Sequence, residues 1–301
     1  MNKVVCILGP TASGKSRLGI ALAKRMKTEI ISGDAFQIYK GMDIGTAKVS
    51  AGEQMEVRHH MIDILDPTEP FDAMQFKRRA DPLIDELNAQ GKIPLVVGGT
   101  GFYVQTLLYG LDYEVGKVPE VRQKWEGYLA NYGKESLYRQ LQYCDAKTAE
   151  RLSENDTKRV IRALEIFEAT GVKMSETTST QKSALRDTYI FALSLDRQQL
   201  YEKIDLRVEE MFEQGLLQEV KTLLSFVPES AQSLQAIGYK EVLSYFKGEL
   251  TLEECKELIK RHTRNYAKRQ ITFLKRMNPI WLDASIPVEH NAEKILNYIE
   301  N

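Results

Sequence analysis

An α/β fold, a parallel sheet flanked by helices and carrying a helical insertion domain, follows from the order of apolar segments along the chain. Short apolar runs alternate with amphipathic stretches in the first third of the sequence and return near its end. Such alternation builds strand–helix–strand units whose strands run parallel. The runs are continuous rather than alternating, as expected for strands covered on both faces. A middle segment breaks the pattern: from about residue 114 to 186 no β-rich run occurs.

Residues 4–8 form the first apolar run and end at Gly9, which predicts a buried strand. Residues 16–27 follow with apolar positions at Leu18, Ala21, Leu22 and Met26, the spacing of a helix. Residues 29–32 predict a second strand, and residues 59–65 a third, closed by Asp66-Pro67. Asp72 with Gln75 three positions on predicts a capping box. The helix it opens shows Phe76, Ala80, Leu83, Ile84 and Leu87 as one stripe, and Pro82 inside it predicts a kink or a division. Residues 93–97 are the next strand and run into Gly98-Gly99-Thr100-Gly101. In the middle segment Trp125, Leu129, Leu137, Leu141, Leu152, Val160, Ile161, Leu164 and Phe167 predict several short helices. Residues 189–195 predict a return strand, residues 198–226 and 251–276 long helices, and residues 280–282 a last short strand. The domains expected are therefore 1–113 and 187–301 as two parts of one core, with 114–186 as the helical insertion.

A chain of 301 residues with 43 % hydrophobic and 28 % charged residues is neither disordered, collagenous nor a coiled coil. Its 41 basic and 42 acidic residues cancel, so any nucleic-acid surface must be local. Three widely spaced cysteines, Cys6, Cys144 and Cys255, make no zinc pattern and read as reduced thiols. No segment approaches the roughly 18 apolar residues of a membrane span. The run at residues 4–8 is too short for a signal-peptide core, which predicts a cytoplasmic protein with no membrane partner.

The run Gly9, Pro10, Thr11, Ala12, Ser13, Gly14, Lys15, Ser16 matches G-x-x-x-x-G-K-[ST] in full, between a strand and a helix. This makes the fold a P-loop parallel sheet. Backbone N–H groups turned inward at a helix N-terminus form an anion site. Lys15 adds a point charge, and the Ser16 hydroxyl is a candidate ligand for Mg2+. The motif predicts a nucleotide-type or other di- or triphosphate, and leaves open which one, ATP included.

Ligands of open parallel sheets sit beyond the carboxyl ends of the strands. There the P-loop should meet the turn Gly33-Asp34-Ala35-Phe36-Gln37 and the turn Gly98-Gly99-Thr100. Asp34 is the acid best placed to face the phosphates. The loop at residues 41–48, Gly-Met-Asp-Ile-Gly-Thr-Ala-Lys, lies close enough to Asp34 to face a substrate. Residues 256–276 hold eight Lys/Arg and one acid, with Arg261, Arg264, Lys268 and Lys275 on one helical face. With Lys158, Arg159 and Arg162 this favours a polyanionic partner over a merely solvated face. Trp125, Tyr239 and Tyr266 are either packing residues or stacking platforms for bases. On these residues alone a small-molecule kinase and an RNA-binding protein with a nucleotide switch stay open as alternatives.

The P-loop, the segment Tyr39-Lys40-Gly41-Met42-Asp43-Ile44-Gly45-Thr46-Ala47-Lys48, Pro94-Leu95-Val96-Val97-Gly98-Gly99-Thr100, Gly238-Tyr239 and Lys268-Arg269-Gln270-Ile271-Thr272 stand in one order over nearly the whole chain. In these the sequence resembles the tRNA dimethylallyltransferases, or tRNA isopentenyltransferases. The resemblance implies transfer of a dimethylallyl group from dimethylallyl diphosphate to the N6 amine of the adenosine 3′ to the anticodon, in tRNAs reading codons that start with U. It implies a tRNA anticodon stem-loop as partner, and a monomer is expected. Residues 11–16 would hold the donor diphosphate. Asp34, Ala35, Phe36, Gln37, Thr100 and Arg122 would face the tRNA and the reacting base, with Asp34, Lys15, Thr100 and Arg122 as the catalytic set. Lys158, Arg159, Val160, Ile161 and Arg162 would contact tRNA. So would Gln235, Ala236, Ile237, Gly238, Tyr239 and Lys240, and Lys268, Arg269, Gln270, Ile271, Thr272, Phe273, Leu274 and Lys275. The family usually reads Asp-Ser where this chain has Asp34-Ala35, which removes one hydroxyl but keeps the carboxylate.

Overall fold

A computed structural model of the chain describes residues 2–110, 118–177 and 184–300. The elements run β1 (Lys3–Leu8), α1 (Lys15–Met26), β2 (Ile30–Ser32), α2 (Ala51–Glu56), β3 (His59–His60), α3 (Ala73–Ala89), β4 (Leu95–Gly98) and α4 (Gly101–Tyr109). Then come α5 (Pro119–Cys144), α6 (Ala146–Arg151), α7 (Thr157–Thr170), α8 (Met174–Thr177), β5 (Asp187–Ser194), α9 (Arg197–Glu213) and α10 (Leu216–Leu224). A 3-10 turn (Ser233–Gln235), α11 (Tyr239–Phe246), α12 (Leu252–Lys275), β6 (Ile280–Asp283) and α13 (Val288–Glu300) complete it.

The six strands form one sheet in the order β3-β2-β4-β1-β5-β6, every neighbouring pair parallel. β1 lies between β4 and β5, with Cys6 opposite both Val96 and Ile190. Its continuous apolar run is buried on both faces, as the pattern required. One face carries a core of Val5, Ile7, Leu18, Leu22, Leu95, Phe191 and Ile295, with α1 and α13 supplying the helical side. Truncating a buried leucine here costs about 2–5 kcal/mol.

Two compact units make up the chain: 1–108 with 184–301, and 109–183. The expected boundary at 113/114 lies outside the described residues, and the return at 183/184 comes slightly before the expected 186/187. The second unit packs Leu137, Leu141, Val160, Ile161 and Leu164 into its own core, with Trp125, Tyr128 and Leu129 against them. Its long α5 is two helical arms about Gly133, whose φ of 75° and ψ of 170° are not helical.

Several local expectations are corrected. The strand expected at 59–65 stops after His60, because residues 63–65 turn to bond the segment 37–40 instead. Ile64 N–H donates to the Ile38 carbonyl at 2.9 Å, and Lys40 N–H to the Leu65 carbonyl at 2.9 Å. Asp72 caps α3 by accepting from Met74 and Gln75 N–H, but the Gln75 side chain does not return a bond, so the expected capping box is only half made. α3 continues through Pro82, which does not divide it. Pro82 and Arg78 both lie on the exposed side, so water can satisfy the carbonyl that the ring deprives of its N–H partner. The long helix expected at 198–226 breaks into α9 and α10 at Gly215, with φ at 101°. All three cysteines are free.

Candidate active site

The carboxyl ends of β1, β2 and β4 gather three turns into one place, and glycine is what lets them approach. A Cβ on Gly98 would lie 2.3 Å from the Gly33 carbonyl oxygen, and one on Gly99 would lie 2.3 Å from Nε2 of Gln270. Gly98 is therefore a close-packing requirement between backbones, and Gly99 one between backbone and the Gln270 side chain. Beyond these turns lies a cavity of about 560 Å³. The P-loop forms its floor through Thr11, Ala12, Gly14, Lys15 and Ser16, and Asp34 and Gln37 form one wall. α9 contributes Ile204, Arg207, Val208 and Met211, and α12 contributes Tyr266 and Arg269.

The P-loop turns through Ala12, at a φ of 63°, and Gly14, at 86°, before α1 starts at Lys15. The Lys15 ammonium donates to the Pro10 carbonyl at 3.1 Å. Burial pushes its pKa down to about 8; Asp34 opposes that shift and Arg207 adds to it. The three charges thus share one neighbourhood. Arg207 donates from Nη1 to the Thr11 hydroxyl at 3.4 Å, and burial lowers its pKa while Glu210 opposes the shift. A guanidinium keeps its proton throughout, so two cations converge where the sequence motif supplies one. Sequence reading missed Arg207 because it stands among Lys203, Glu209 and Glu210, the pattern of a solvated helix face.

Asp34 caps its own turn: Oδ1 accepts from Phe36 N–H at 2.9 Å and Gln37 N–H at 3.4 Å. Oδ2 takes part in neither bond. Thr100 accepts the Ala35 N–H at 3.1 Å, so position 35 joins the network through its backbone. Tyr266 has Thr100 and Gln270 as hydrogen-bonding neighbours, and its phenol is pushed up to about 12, first by burial and then by the Asp34 charge. The Arg269 guanidinium stands 5.8 Å from the centre of the Tyr266 ring.

Magnesium fits this donor set. The Ser16 hydroxyl, a hard oxygen donor, lines the cavity. An ion held there would take its remaining ligands from the oxygens of a bound phosphate compound and from water.

The residues expected to touch a polyanion divide sharply. Gln235, Ala236, Ile237 and Lys240 line the cavity, and Lys268, Thr272 and Lys275 are exposed on α12. Lys158 and Arg159 are exposed on α7. Four side chains are corrected: Val160, Ile161, Tyr239 and Leu274 are buried and present nothing to a partner outside, whereas Gln270, also buried, lines the cavity. Val160 and Ile161 belong to the core of the helical unit. Gly238 is also buried, its N–H bonded to Glu241 at 2.7 Å. Ile271 and Phe273 are half-buried, Ile271 against the core beside the P-loop and Phe273 over Gly101. Gln270 instead clamps two turns, as its bonds to Thr11 and Gly99 show.

The α12 cationic face is also smaller than its formal charge. Arg264 pairs with Asp205 at 2.6 Å, and Lys256 and Lys260 both pair with Glu209, at 2.8 and 2.7 Å. In the helical unit Arg122 pairs with Glu126 at 3.3 Å and stands 3.8 Å from Glu165, which also holds Arg162 at 3.1 Å.

Fold and site define a P-loop protein whose loop opens, with two cations and one carboxylate, into a cavity half walled by hydrocarbon. The sequence profile of the IPP transferase family matches residues 37–277, and that of the isopentenyl transferases matches residues 2–68. The chain belongs to the IPP transferase family. A tRNA dimethylallyltransferase of Bacillus cytotoxicus is 46 % identical, covering 99 % of this chain and 95 % of the relative. That of Geobacillus thermodenitrificans is 43 % identical, covering 99 % and 96 %. The crystal structure of a tRNA isopentenylpyrophosphate transferase from Bacillus halodurans superposes with a TM-score of 0.75 at 39 % identity, covering all of this chain and 96 % of that one. A eukaryotic dimethylallyltransferase acting on tRNA superposes with a TM-score of 0.81 at 33 % identity, over 94 % of this chain and 74 % of that one. Among the described residues no helix is long and apolar enough to cross a membrane.

Proposed function

We propose that the chain transfers a dimethylallyl group from dimethylallyl diphosphate to the N6 amine of the adenosine 3′ to the anticodon, in tRNAs reading codons that start with U. One observation carries the reading: a single cavity joins a diphosphate-type loop with Lys15 and Arg207, a carboxylate at Asp34, and an apolar wall of Ile204, Val208 and Met211. A prenyl donor carries both an anionic head and a hydrocarbon tail, and this cavity offers a surface to each.

The adenine amine is a poor nucleophile because its lone pair is shared with the ring, so the reaction turns on the leaving group. The allylic carbon–oxygen bond breaks as the nitrogen–carbon bond forms, and its electron pair leaves with the diphosphate. Lys15, Arg207 and the P-loop N–H groups stabilise the charge that grows there. Magnesium on Ser16 would supply further neutralisation of the leaving diphosphate. Asp34 receives the amine proton, which turns acidic as nitrogen gives up its electrons. The base must leave its stack to enter the cavity, and an anticodon loop makes that cheap. Gln235, Lys240, Lys268, Arg269 and Lys275 are the residues of this unit proposed to meet tRNA, and Arg122, Lys158, Arg159 and Arg162 those of the helical unit.

The test is mass analysis of an anticodon-loop oligonucleotide incubated with the protein, dimethylallyl diphosphate and magnesium. The expected product gains one five-carbon unit on the adenosine. Transfer of a γ-phosphoryl label from ATP to an acceptor, with no prenylated product, would overturn the reading.

A further inference from the structure

The loop at residues 41–48 has neither helical nor strand periodicity, yet it is held firmly from two sides. On one side stands Glu219, in the first turn of α10. Its Oε2 accepts the N–H groups of Asp43 at 2.9 Å and Ile44 at 2.8 Å. Its Oε1 accepts the N–H of Gly45 at 3.1 Å and the hydroxyl of Tyr239 at 2.6 Å. Successive N–H groups pointing inward make an anion-binding concavity, and here the protein fills it with its own carboxylate. Position 45 has no room for a side chain, because a Cβ there would lie 2.4 Å from the Tyr239 ring. Tyr239 is fully buried, with burial and Glu219 holding its phenol well above the usual range. It therefore remains a donor.

On the other side the loop meets Gln37. Its Nε2 donates to the carbonyls of Thr46 at 3.4 Å and Ala47 at 3.2 Å, while its Oε1 accepts the Ser32 hydroxyl at 3.2 Å. The backbone N–H of the same Gln37, with that of Phe36, holds Oδ1 of Asp34. Bonds thus run without a gap from Glu219 through the loop and Gln37 to Asp34.

We propose that Glu219 is a positioning residue for the transfer: by locking residues 43–45 it fixes Gln37, which holds Asp34 by one oxygen and leaves Oδ2 for the acceptor amine. The inference rests on the proposed role of Asp34 as base. Glu219 touches no substrate in this scheme, and its effect reaches the reaction only through geometry. Displacements near 1 Å at a reacting group are worth about 10²-fold in rate.

The experiment is a double-mutant cycle on kcat, with donor KM and Tm measured alongside. Glu219→Gln keeps the volume but presents N–H groups to donors. It should lower kcat by about 10- to 100-fold and leave donor KM within about 2-fold, since the P-loop is untouched. In an Asp34→Asn background the same substitution should cost at most about 3-fold more, because the group it positions has already lost its function. Tyr239→Phe removes one of the four donors, should lower kcat by a smaller factor with the same non-additivity, and carries the test if Glu219→Gln does not fold. Losses that multiply across the cycle, or a raised donor KM at unchanged kcat, would overturn the inference while leaving Asp34 as base. An Asp34→Asn enzyme of undiminished kcat would remove that base, and the inference with it.

Discussion

The side-chain carbonyl of Gln270 accepts the backbone N–H of Thr11 at 2.9 Å, while its Nε2 donates to the Gly99 carbonyl at 2.9 Å. One buried amide on α12 thereby fixes both the opening of the P-loop and the turn after β4. Gln270→Ala should strip the buried Gly99 carbonyl of its side-chain partner, at most about 1–3 kcal/mol before water enters, and the half-buried Thr11 N–H of its own at less. We expect a lower Tm together with a raised Kd for the donor. A Gln270→Ala protein with wild-type Tm and Kd would show that the clamp is idle.

Lys15 is held cationic against its surroundings in the free protein, with its pKa at about 8 instead of 10.5. The folded state therefore sheds this proton before the unfolded state does. Its contribution to stability rises with pH between about 8 and 10.5, by at most about 3 kcal/mol and less where water reaches the ammonium. Lys15→Met should lack this rise and be more stable than wild type at pH 7, while losing kcat by on the order of 10² or more. Denaturant titrations at pH 7 and pH 10 check the first expectation. A wild-type stability that falls across this window relative to Lys15→Met would contradict it.

Arg207 adds a second cation beside the same loop. Arg207→Gln should weaken donor binding and lower kcat together, by about 10-fold or more each, because a charge-assisted contact to the diphosphate strengthens as the bond breaks. Arg207→Lys should recover only part, since the ammonium lacks the planar fork. Unchanged kcat and KM in Arg207→Gln would remove this residue from the donor site.

The α12 ion pairs divide its cations into two groups that salt can tell apart. Gln at Arg261, Lys268 and Lys275 should flatten the slope of log K against log[salt] for tRNA binding by up to about 3 units. Gln at Lys256, Lys260 and Arg264 should change it much less, because Glu209 and Asp205 already neutralise those charges. Equal slopes from both triple variants would mean that the pairs open when tRNA binds.

What the sequence made legible was what neighbours in the chain decide. β1, the P-loop turn and α1 are one uninterrupted segment whose apolar run, glycines and helix formers act locally. The Asp34 turn could be placed because a parallel sheet puts successive strand ends together. The clamp at Gln270 joins residues 259 positions apart, and Glu219 meets a loop some 174 to 176 positions away. No local pattern encodes such a partner, so Gln270 entered only as a tRNA contact implied by the resemblance, Tyr239 as such a contact or a packing residue, and Glu219 was not read at all. Charge misled for the same reason, since the acids that quench three of the seven α12 cations stand on α9. The helices α2, α4, α11 and α13 went unread; α2 is a mere six residues, and α4 is apolar all round instead of striped.

At the point where the helical unit is spliced in, Leu185 N–H donates to the Leu108 carbonyl at 2.8 Å. The chain leaves and re-enters the sheet unit through one doorway. Replacing everything between these two leucines by a few glycines should close the gap with little strain, because short loop closure between adjacent ends costs little entropy. The sheet unit is then expected to fold without its insertion, leaving a single seam at which another domain can be grafted.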